Sequence, residues 1–212
     1  MEPKFFKLPV CVGDVTLNVA KGHFATSHSH INYFIDVTSQ KASLNEATAV
    51  AQQLAQRHLS GVMIDTILCL DGTRVIGTCL ARQLTQSGYR SINQGRDIYI
   101  LRAEMDGNAQ IIFRDNAKFM IEGKNVLILM ASLTTGKTAA RSMESIRYYG
   151  GRVAGIAAIY SSLKETDGVS ISALFDLSDL PDYADYEPHD CPLCKQGIPM
   201  DAVVNSFGYS KL

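Results

Sequence analysis

The feature that most constrains this chain is a run of six apolar residues at positions 126–131, followed directly by Ser-Leu-Thr-Thr-Gly-Lys-Thr at positions 132–138. An unbroken apolar run predicts a strand that is covered on both faces, as in a parallel sheet. Small hydroxyl residues and a glycine let backbone N–H groups close around an anion. The amphipathic segment 139–149 follows, and the first turn of a helix there would direct its N–H groups at the same anion. The alternative for positions 132–138 is a helix-capping turn without a ligand.

Composition and charge exclude several classes of protein. The 212 residues are 46% hydrophobic and 19% charged, which is enough to bury a full core in one main domain. Because the net charge is −1 and no basic stripe is present, we expect neither nucleic acid nor a membrane surface as a partner. Apolar runs fall short of the roughly 18 residues of a membrane span, and residues 1–7 lack a signal sequence, so the expected compartment is the cytoplasm.

The five cysteines are an odd number and are scattered along the chain, at Cys11, Cys69, Cys79, Cys191 and Cys194. This distribution suits a reducing compartment better than a disulfide framework. Near the C-terminus, His189, Cys191 and Cys194 offer three ligands of the kind that zinc prefers. A zinc site would need a fourth ligand from elsewhere in the chain or from another subunit. The alternative is an ordered, reduced tail.

Strand and helix patterns alternate through the middle of the chain, which predicts an α/β fold with a largely parallel sheet. Ser43 and Glu46 form a capping-box pattern that opens a helix over 43–58. A strand over 61–70, a turn and a helix over 74–85 follow, and later strands are predicted over 97–102, 153–160 and 171–175. Asp115 and Asn116 between two short apolar segments, 109–114 and 117–121, predict a β-hairpin.

Two kinds of nucleotide-related protein fit the loop at 132–138. Residues 131–138 meet the relaxed P-loop pattern [AG]-x-x-x-x-G-K-[ST], in which Ala131 replaces the first glycine. A P-loop kinase or nucleotidase also needs an aspartate for magnesium, and Asp176 is a late candidate for that role. The loop lies past the midpoint of the chain, whereas a P-loop is expected after the first strand.

The same loop resembles the phosphoribosyl pyrophosphate (PRPP) loop of type I phosphoribosyltransferases, which has two acids, two variable residues and then Thr-Thr-Gly-x-Thr/Ser. In that family the acids hold the ribose hydroxyls of PRPP, and here they are replaced by Met130 and Ala131. The resemblance implies a phosphate site with these residues: Ser132, Thr134, Thr135, Gly136, Lys137 and Thr138.

The N-terminal segment resembles the opening of bacterial orotate phosphoribosyltransferases, in which Gly-His-Phe is followed by Ser, by His or Lys, and by Tyr. Here Gly22-His23-Phe24 opens the segment. The resemblance implies a substrate and subunit-contact loop that contains Ser27, His28, His30 and Tyr33. The spacing of His23, His28 and His30 matches no helical ligand face, so we expect this role rather than a metal site. The Cys-Pro-Leu-Cys segment at 191–194 also resembles the tail of some bacterial members.

Two loops depart from the family pattern. The pyrophosphate loop, which is glycine-rich in the family, contains Asp71, Gly72, Thr73 and Arg74. The mobile loop, which carries Lys and His in the family, corresponds to residues 103–108 and has neither. Because charge stabilisation of the leaving pyrophosphate is central to the family's reaction, we expect weak or absent catalysis. Arg74 and Lys137, each at the start of a helix, are expected to face the crevice and to contribute anion recognition. The alternative for Arg74 is a solvated residue of the first helical turn.

Taken together, the residues and the resemblance predict a type I phosphoribosyltransferase fold: a central parallel sheet with helices on both faces, a β-hairpin, and N- and C-terminal extensions. The expected units are residues 1–42, an extension with the substrate loop, residues 43–180, the core, and residues 181–212, the tail. The expected ligand is PRPP or a pyrimidine nucleotide, with phosphoribose transfer to a base, aided by Mg²⁺, if the protein is active. The alternative function is that of a non-catalytic, regulatory binding protein. The family also implies a homodimer.

Overall fold

The computed structural model describes residues 4–9, 13, 15–59, 61–86, 91–107 and 110–212, so Cys11, Asn108 and Ala109 lie outside the described residues. The chain begins with three antiparallel strands, β1 (Lys4–Pro9), β2 (Thr16–Ala25) and β3 (His30–Asp36). The first half of β2 alternates between partly exposed and buried residues, as expected of a strand with one covered face.

The middle of the chain holds the alternating elements that the sequence predicts. A π-helical turn, Ala55–Leu59, extends α2, and a 3-10 helix, Asp115–Met120, precedes β8. Ser43 caps α2, because its Oγ accepts a hydrogen bond from Glu46 N at 3.5 Å. In chain order the elements are α1 (Thr38–Ala42), α2 (Leu44–Leu54), β4 (Thr66–Cys69), α3 (Arg74–Thr85), β5 (Tyr99–Arg102), β6 (Glu104–Met105), β7 (Ile111–Ile112), β8 (Asn125–Leu133), α4 (Lys137–Tyr148), β9 (Arg152–Ser161), β10 (Glu165–Thr166) and β11 (Val169–Phe175).

The central sheet has the strand order β10-β11-β9-β8-β4-β5. Every neighbouring pair is parallel except β10 with β11. Because successive side chains of a strand point to opposite faces, the apolar run of β8 supplies two cores. Leu127 and Leu129 pack with α2 and α3 on one face, and Ile128 and Met130 pack with α4 on the other. This arrangement confirms the predicted α/β fold with helices on both faces.

The C-terminal part adds β12 (Asp185–Tyr186), α5 (Pro192–Lys195), β13 (Ala202–Asn205) and β14 (Gly208–Lys211). These strands join β1–β3 in one sheet, in which β12 pairs with β3 and β13 runs parallel to β2. The two ends of the chain therefore build a single second sheet. Over the described residues, no helix combines the length and the apolar character that a membrane span requires.

The predicted β-hairpin around Asp115 and Asn116 is wrong. Residues 115–120 form the 3-10 helix, and the antiparallel pair is instead β6 with β7. The helix closes the start of the sheet, since the carbonyl of Met120 accepts a hydrogen bond from Thr66 Oγ1. Phe119, 53% exposed, meets the ring of Tyr99 edge-on at 5.5 Å. The apolar residues of this segment thus cap the sheet and do not pair as a strand.

Candidate functional site

A cleft of about 330 Å³ lies between the two sheets, at the carboxyl end of β8. One wall is the loop between β2 and β3, with Ser27 and His28, and the opposite wall includes Thr134 and Thr135. In open α/β sheets, ligands bind outside the carboxyl ends of the strands, and the volume falls within the range of small-molecule sites. The cleft is therefore the candidate ligand site.

Hydrogen bonds from the residue after β9 hold the segment between β8 and α4 on one side, and the other side of the segment borders the cleft. Ser162, just after β9, donates from its N to Leu133 O at 2.9 Å and from its Oγ to Thr134 O at 3.0 Å. The first bond of α4 runs from Ala140 N to Gly136 O, so the N–H groups of its first turn have no acceptor within the helix. Four hydroxyls line the cleft and have no protein hydrogen-bond partner in the described part of the chain: those of Ser132, Thr134, Thr135 and Thr138.

Gly136 and Lys137 belong to this loop but do not line the cleft. Gly136 has φ 73°, a conformation that favours glycine. A Cβ there would lie 3.1 Å from Thr166 Oγ1 and 3.2 Å from Leu163 Cδ1, on the side of the β9–β10 connection. The left-handed backbone and the close approach of these two side chains therefore explain why a glycine occupies position 136. Lys137 is exposed at the start of α4.

The loop between β4 and α3 contributes one cleft residue, Asp71. Asp71 has φ 52°, an uncommon conformation for a residue other than glycine that occurs often at functional sites. Burial raises the pKa of Asp71, against the opposing effects of a hydrogen bond from Ala131 N–H and the charge of Lys41. Thr73 is buried and donates its hydroxyl to Leu70 O and Leu129 O, so it is engaged with backbone. Gly72 and Arg74 are exposed and lie outside the cleft lining.

Lys41, in α1, is a cleft residue that the sequence did not reveal. Its Nζ donates to Asp71 O at 3.1 Å and also to Ser206 O. Burial lowers the pKa of Lys41, while the charges of Asp71 and Asp36 act against that shift. The cleft thus contains a half-buried cation that is supplied by the segment before α2. Sequence spacing carries no signal for this position, because only the tertiary fold brings α1 beside Asp71, just after β4.

The substrate loop predicted from the resemblance divides between two places. Thr26 and Ser29 close a tight turn, with Thr26 N donating to Ser29 O at 2.8 Å and Ser29 N to Thr26 Oγ1 at 2.9 Å. Ser27, His28 and Tyr33 line the cleft. His30 lies outside the cleft lining.

His30 instead belongs to a compact group with His23, Cys191 and Cys194. Burial, followed by the charge of His23, lowers the pKa of His30. His189 is outside this group: it is exposed, and its Nε2 lies 3.3 Å from a carboxylate oxygen of Asp190. The histidines that approach the two cysteines therefore come from the N-terminal strands and not from the adjacent tail.

Comparison with known proteins gives relatives along most of the chain, although no protein-family model matches. The orotate phosphoribosyltransferase of Caldanaerobacter subterraneus subsp. tengcongensis is 29% identical over 187 residues, covering 86% of this chain and 88% of the relative. That of Chlorobaculum parvum is 28% identical over 184 residues, covering 85% and 86%. The solved structure of orotate phosphoribosyltransferase from Aeropyrum pernix shares the fold, with a TM-score of 0.51, 16% identity and coverage of 85% and 93%. The chain has the fold of type I phosphoribosyltransferases, and along most of its length it is similar in sequence to orotate phosphoribosyltransferases.

Proposed function

We propose that the cleft binds a phosphorylated ribose ligand, either PRPP or a pyrimidine nucleotide, with its 5′-phosphate against residues 134–138. The observation that carries this proposal is the set of unpartnered hydroxyls beside the first turn of α4. Hydroxyl and N–H donors that converge at a helix start match the acceptor oxygens of a phosphate. The relationship to orotate phosphoribosyltransferases supports a pyrimidine as the base.

The remaining cleft residues suit the rest of such a ligand. Ser27, His28 and Tyr33 supply polar and aromatic surface for a base on the wall formed by the N-terminal sheet. Lys41 supplies a cation for a second anionic group, such as the carboxylate of orotate or the pyrophosphate of PRPP. In this proposal the exposed Lys137 and Arg74 have at most a long-range electrostatic effect, since neither lines the cleft.

The floor of the cleft argues for binding with weak or absent catalysis. Met130 and Ala131 line it and are 4% and 3% exposed. Neither side chain offers a charged acceptor to a ribose hydroxyl, and a hydrogen bond to a charged group contributes about 1.5–3 kcal/mol. We therefore favour a non-catalytic nucleotide- or PRPP-binding protein over an active orotate phosphoribosyltransferase.

Mg²⁺ fits this cleft only in part. Magnesium is usually held by one or two carboxylates together with the phosphates of the substrate, and when bound it would neutralise the pyrophosphate. The carboxylates that line the cleft are Asp36 and Asp71 over the described residues. Asp71 already accepts the Ala131 N–H, so this chain offers one partly engaged carboxylate beside the loop.

Calorimetric titration tests the binding proposal. Uridine and orotidine monophosphates, PRPP and uridine are titrated into the wild type and into Thr135→Val/Thr138→Val, in which methyl groups replace two cleft hydroxyls. We expect the double variant to lose at least about tenfold in affinity for the phosphorylated ligands and to change little for uridine. Thr78→Val is the matched control, because the Thr78 hydroxyl bonds Arg74 O within α3, away from the cleft. Equal losses in the double variant and in the control would refute the proposed phosphate site.

An assay of pyrophosphate release from PRPP separates the two functions. We expect turnover far below the roughly 10 per second of a typical metabolic enzyme, with orotate or with uracil as the acceptor. Turnover at that level would make the protein an active transferase. The family resemblance further suggests a homodimer in the cytoplasm, and light scattering of the purified protein tests the dimer.

A further inference from the structure

The group formed by His23, His30, Cys191 and Cys194 lies outside the cleft lining and has no role in the proposed ligand site. One ligand-type atom from each residue lies within 4.8 Å of the other three. His23 Nε2 is 3.3 Å from His30 Nδ1 and 3.5 Å from Cys191 Sγ. Cys194 Sγ is 3.7 Å from His23 Nε2 and 3.3 Å from His30 Nδ1. Two nitrogens and two sulfurs therefore surround one point.

These separations are those of the edges of a metal tetrahedron. Zn–S bonds of about 2.3 Å and Zn–N bonds of about 2.0–2.1 Å at tetrahedral angles place two nitrogens about 3.3 Å apart and a nitrogen about 3.5 Å from a sulfur. The observed nitrogen–nitrogen distance is 3.3 Å, and the nitrogen–sulfur distances are 3.3–3.7 Å. A tetrahedral set of two sulfurs and two nitrogens is typical of zinc.

The second nitrogen of His23 supports the same conclusion. His23 Nδ1 lies 2.9 Å from the carbonyl of Ile198, which can only accept. Nδ1 must therefore carry the proton, and the lone pair of Nε2 faces the cysteines. A metal-binding histidine almost always donates its other ring N–H to a carbonyl or a carboxylate. His23, His30 and Cys191 are buried, whereas Cys194 is exposed, so the group is reached by water only on the side of Cys194.

We propose that His23, His30, Cys191 and Cys194 form a structural Cys₂His₂ zinc site. Four protein ligands close the coordination sphere, which is typical of structural rather than catalytic zinc. The site joins the N-terminal strands β2 and β3 to the helix α5 in the tail. Since His23 and His30 bracket the turn of residues 26–29, zinc fixes both ends of the loop that carries Ser27 and His28 into the cleft.

The primary test is the metal content of the full-length protein, purified without chelators or affinity tags and measured by plasma mass spectrometry. We expect about one zinc ion per chain in the wild type and less than about one tenth of that in His30→Asn or Cys194→Ser. His189→Asn and Cys79→Ser are the matched controls, because they change the same residue types outside the group. Controls that lose zinc as fully as the ligand variants would overturn the assignment.

Cobalt exchange keeps the proposal testable if the ligand variants do not fold. Zinc is removed from the wild type by dialysis against a chelator, and Co²⁺ is added. We expect the visible bands of tetrahedral cobalt with a thiolate-to-cobalt charge-transfer band, and proton release on binding at neutral pH. A wild type without zinc that also gives no thiolate–cobalt band would refute the site.

The metal site and the proposed function fail separately. One zinc per chain without nucleotide binding would leave the metal site standing and remove the proposed function. Nucleotide binding in a protein that takes up neither zinc nor cobalt would leave the proposed function standing and remove the metal site.

Discussion

The two edges of the central parallel sheet use polar side chains in opposite ways. At the amino-terminal edge, polar groups satisfy one another. Asp65 accepts hydrogen bonds from Asn125 N at 2.9 Å, from Asn125 Nδ2 at 2.8 Å and from Arg96 Nη2 at 2.7 Å. Arg152 donates to Asn125 Oδ1 at 3.2 Å and to Gly123 O at 2.7 Å. This network, which we call the Asp65 network, connects the starts of β4, β8 and β9.

At the carboxyl edge, polar groups face the cleft. The cleft hydroxyls at the end of β8 and in the loop that follows it have no protein partner in the portion of the chain that the structure describes. Asp71 and Gly136 adopt left-handed backbone conformations there, and Lys41 is half buried. The left-handed backbone of Asp71, a residue other than glycine, costs stability. The amino edge thus uses its polar side chains to hold strands together, whereas the carboxyl edge presents its polar side chains to the cleft.

The largest expected effect comes from breaking the Asp65 network. Asp65→Ala leaves Arg96 and both donors of Asn125 without their acceptor, so we expect the free energy of unfolding to fall by about 3 kcal/mol. Urea denaturation measures this change. Asp97→Ala, at an exposed neighbouring carboxylate, should change it by less than about 0.5 kcal/mol. A loss of nucleotide affinity in folded Asp65→Ala would show that the two edges are not independent.

A glycine at each edge gives a matched pair. Gly95→Ala and Gly136→Ala both place a side chain at positive φ, 72° and 73°, which costs about 1–2 kcal/mol. Gly95 has open space around the added Cβ, whereas the Cβ at Gly136 approaches Thr166 and Leu163. We therefore expect Gly136→Ala to destabilise more and, unlike Gly95→Ala, to weaken nucleotide binding. Equal effects on stability and on binding in the two variants would contradict the comparison.

The next prediction concerns Lys41, the half-buried cation that lines the cleft. Lys41→Met keeps the length of the side chain and removes its charge, so we expect about tenfold weaker binding of PRPP or orotidine monophosphate, an effect that shrinks with added salt. Calorimetry at two ionic strengths measures it. Arg74→Met and Lys137→Met, which remove exposed charges outside the cleft lining, should change affinity less than about twofold. A larger loss in either control than in Lys41→Met would assign the anion site to the helix starts.

The smallest expected effect is a pH dependence of the free energy of unfolding that Asp65 causes at the amino edge. Burial alone would raise the pKa of Asp65, but hydrogen bonds from Asn125 and Arg96 outweigh it and lower that pKa. The stability that Asp65 contributes is therefore present above the unfolded pKa of about 3.9 and is lost as the pH falls through the folded value. The difference in unfolding free energy between the wild type and Asp65→Asn should stay constant from pH 7 to 5 and shrink towards pH 3. A difference that grows on acidification would contradict this assignment.

Sequence patterns predicted the core because its signals are local. The apolar run before the threonine loop specifies β8, and the periodicity over 74–85 specifies α3, whose bounds agree with the prediction. The hairpin around Asp115 was wrong because short apolar segments fit a strand or a cap equally well, and tertiary contacts at Thr66 and Tyr99 decide between them.

Several residues of the cleft and of the metal group could not be predicted from the sequence, because tertiary contacts that sequence spacing does not encode bring them together. Lys41 reaches the cleft because α1 lies beside Asp71, just after β4, and a pairing of β13 with β2 brings the tail to the N-terminal strands. The two cysteines and the two histidines lie 164 to 171 residues apart where their distances are measured. A search for ligands near Cys191 therefore selects His189, the nearest in sequence, although the fold supplies His23 and His30.

The pairing of β2 with β13 also sets the order in which the protein can be completed during synthesis. His23 N donates to the carboxylate of Asp201, 178 residues later in the chain. At translation rates of about 5–20 residues per second, the N-terminal strands wait about 10–35 s for this partner. The last strand of the parallel sheet, β11, ends at Phe175, 26 residues before Asp201, so about 1–5 s of synthesis separate the two. The strands of the core are all made before the tail residues that line the cleft, so under the proposed function the ligand site is the last part of the molecule to be completed.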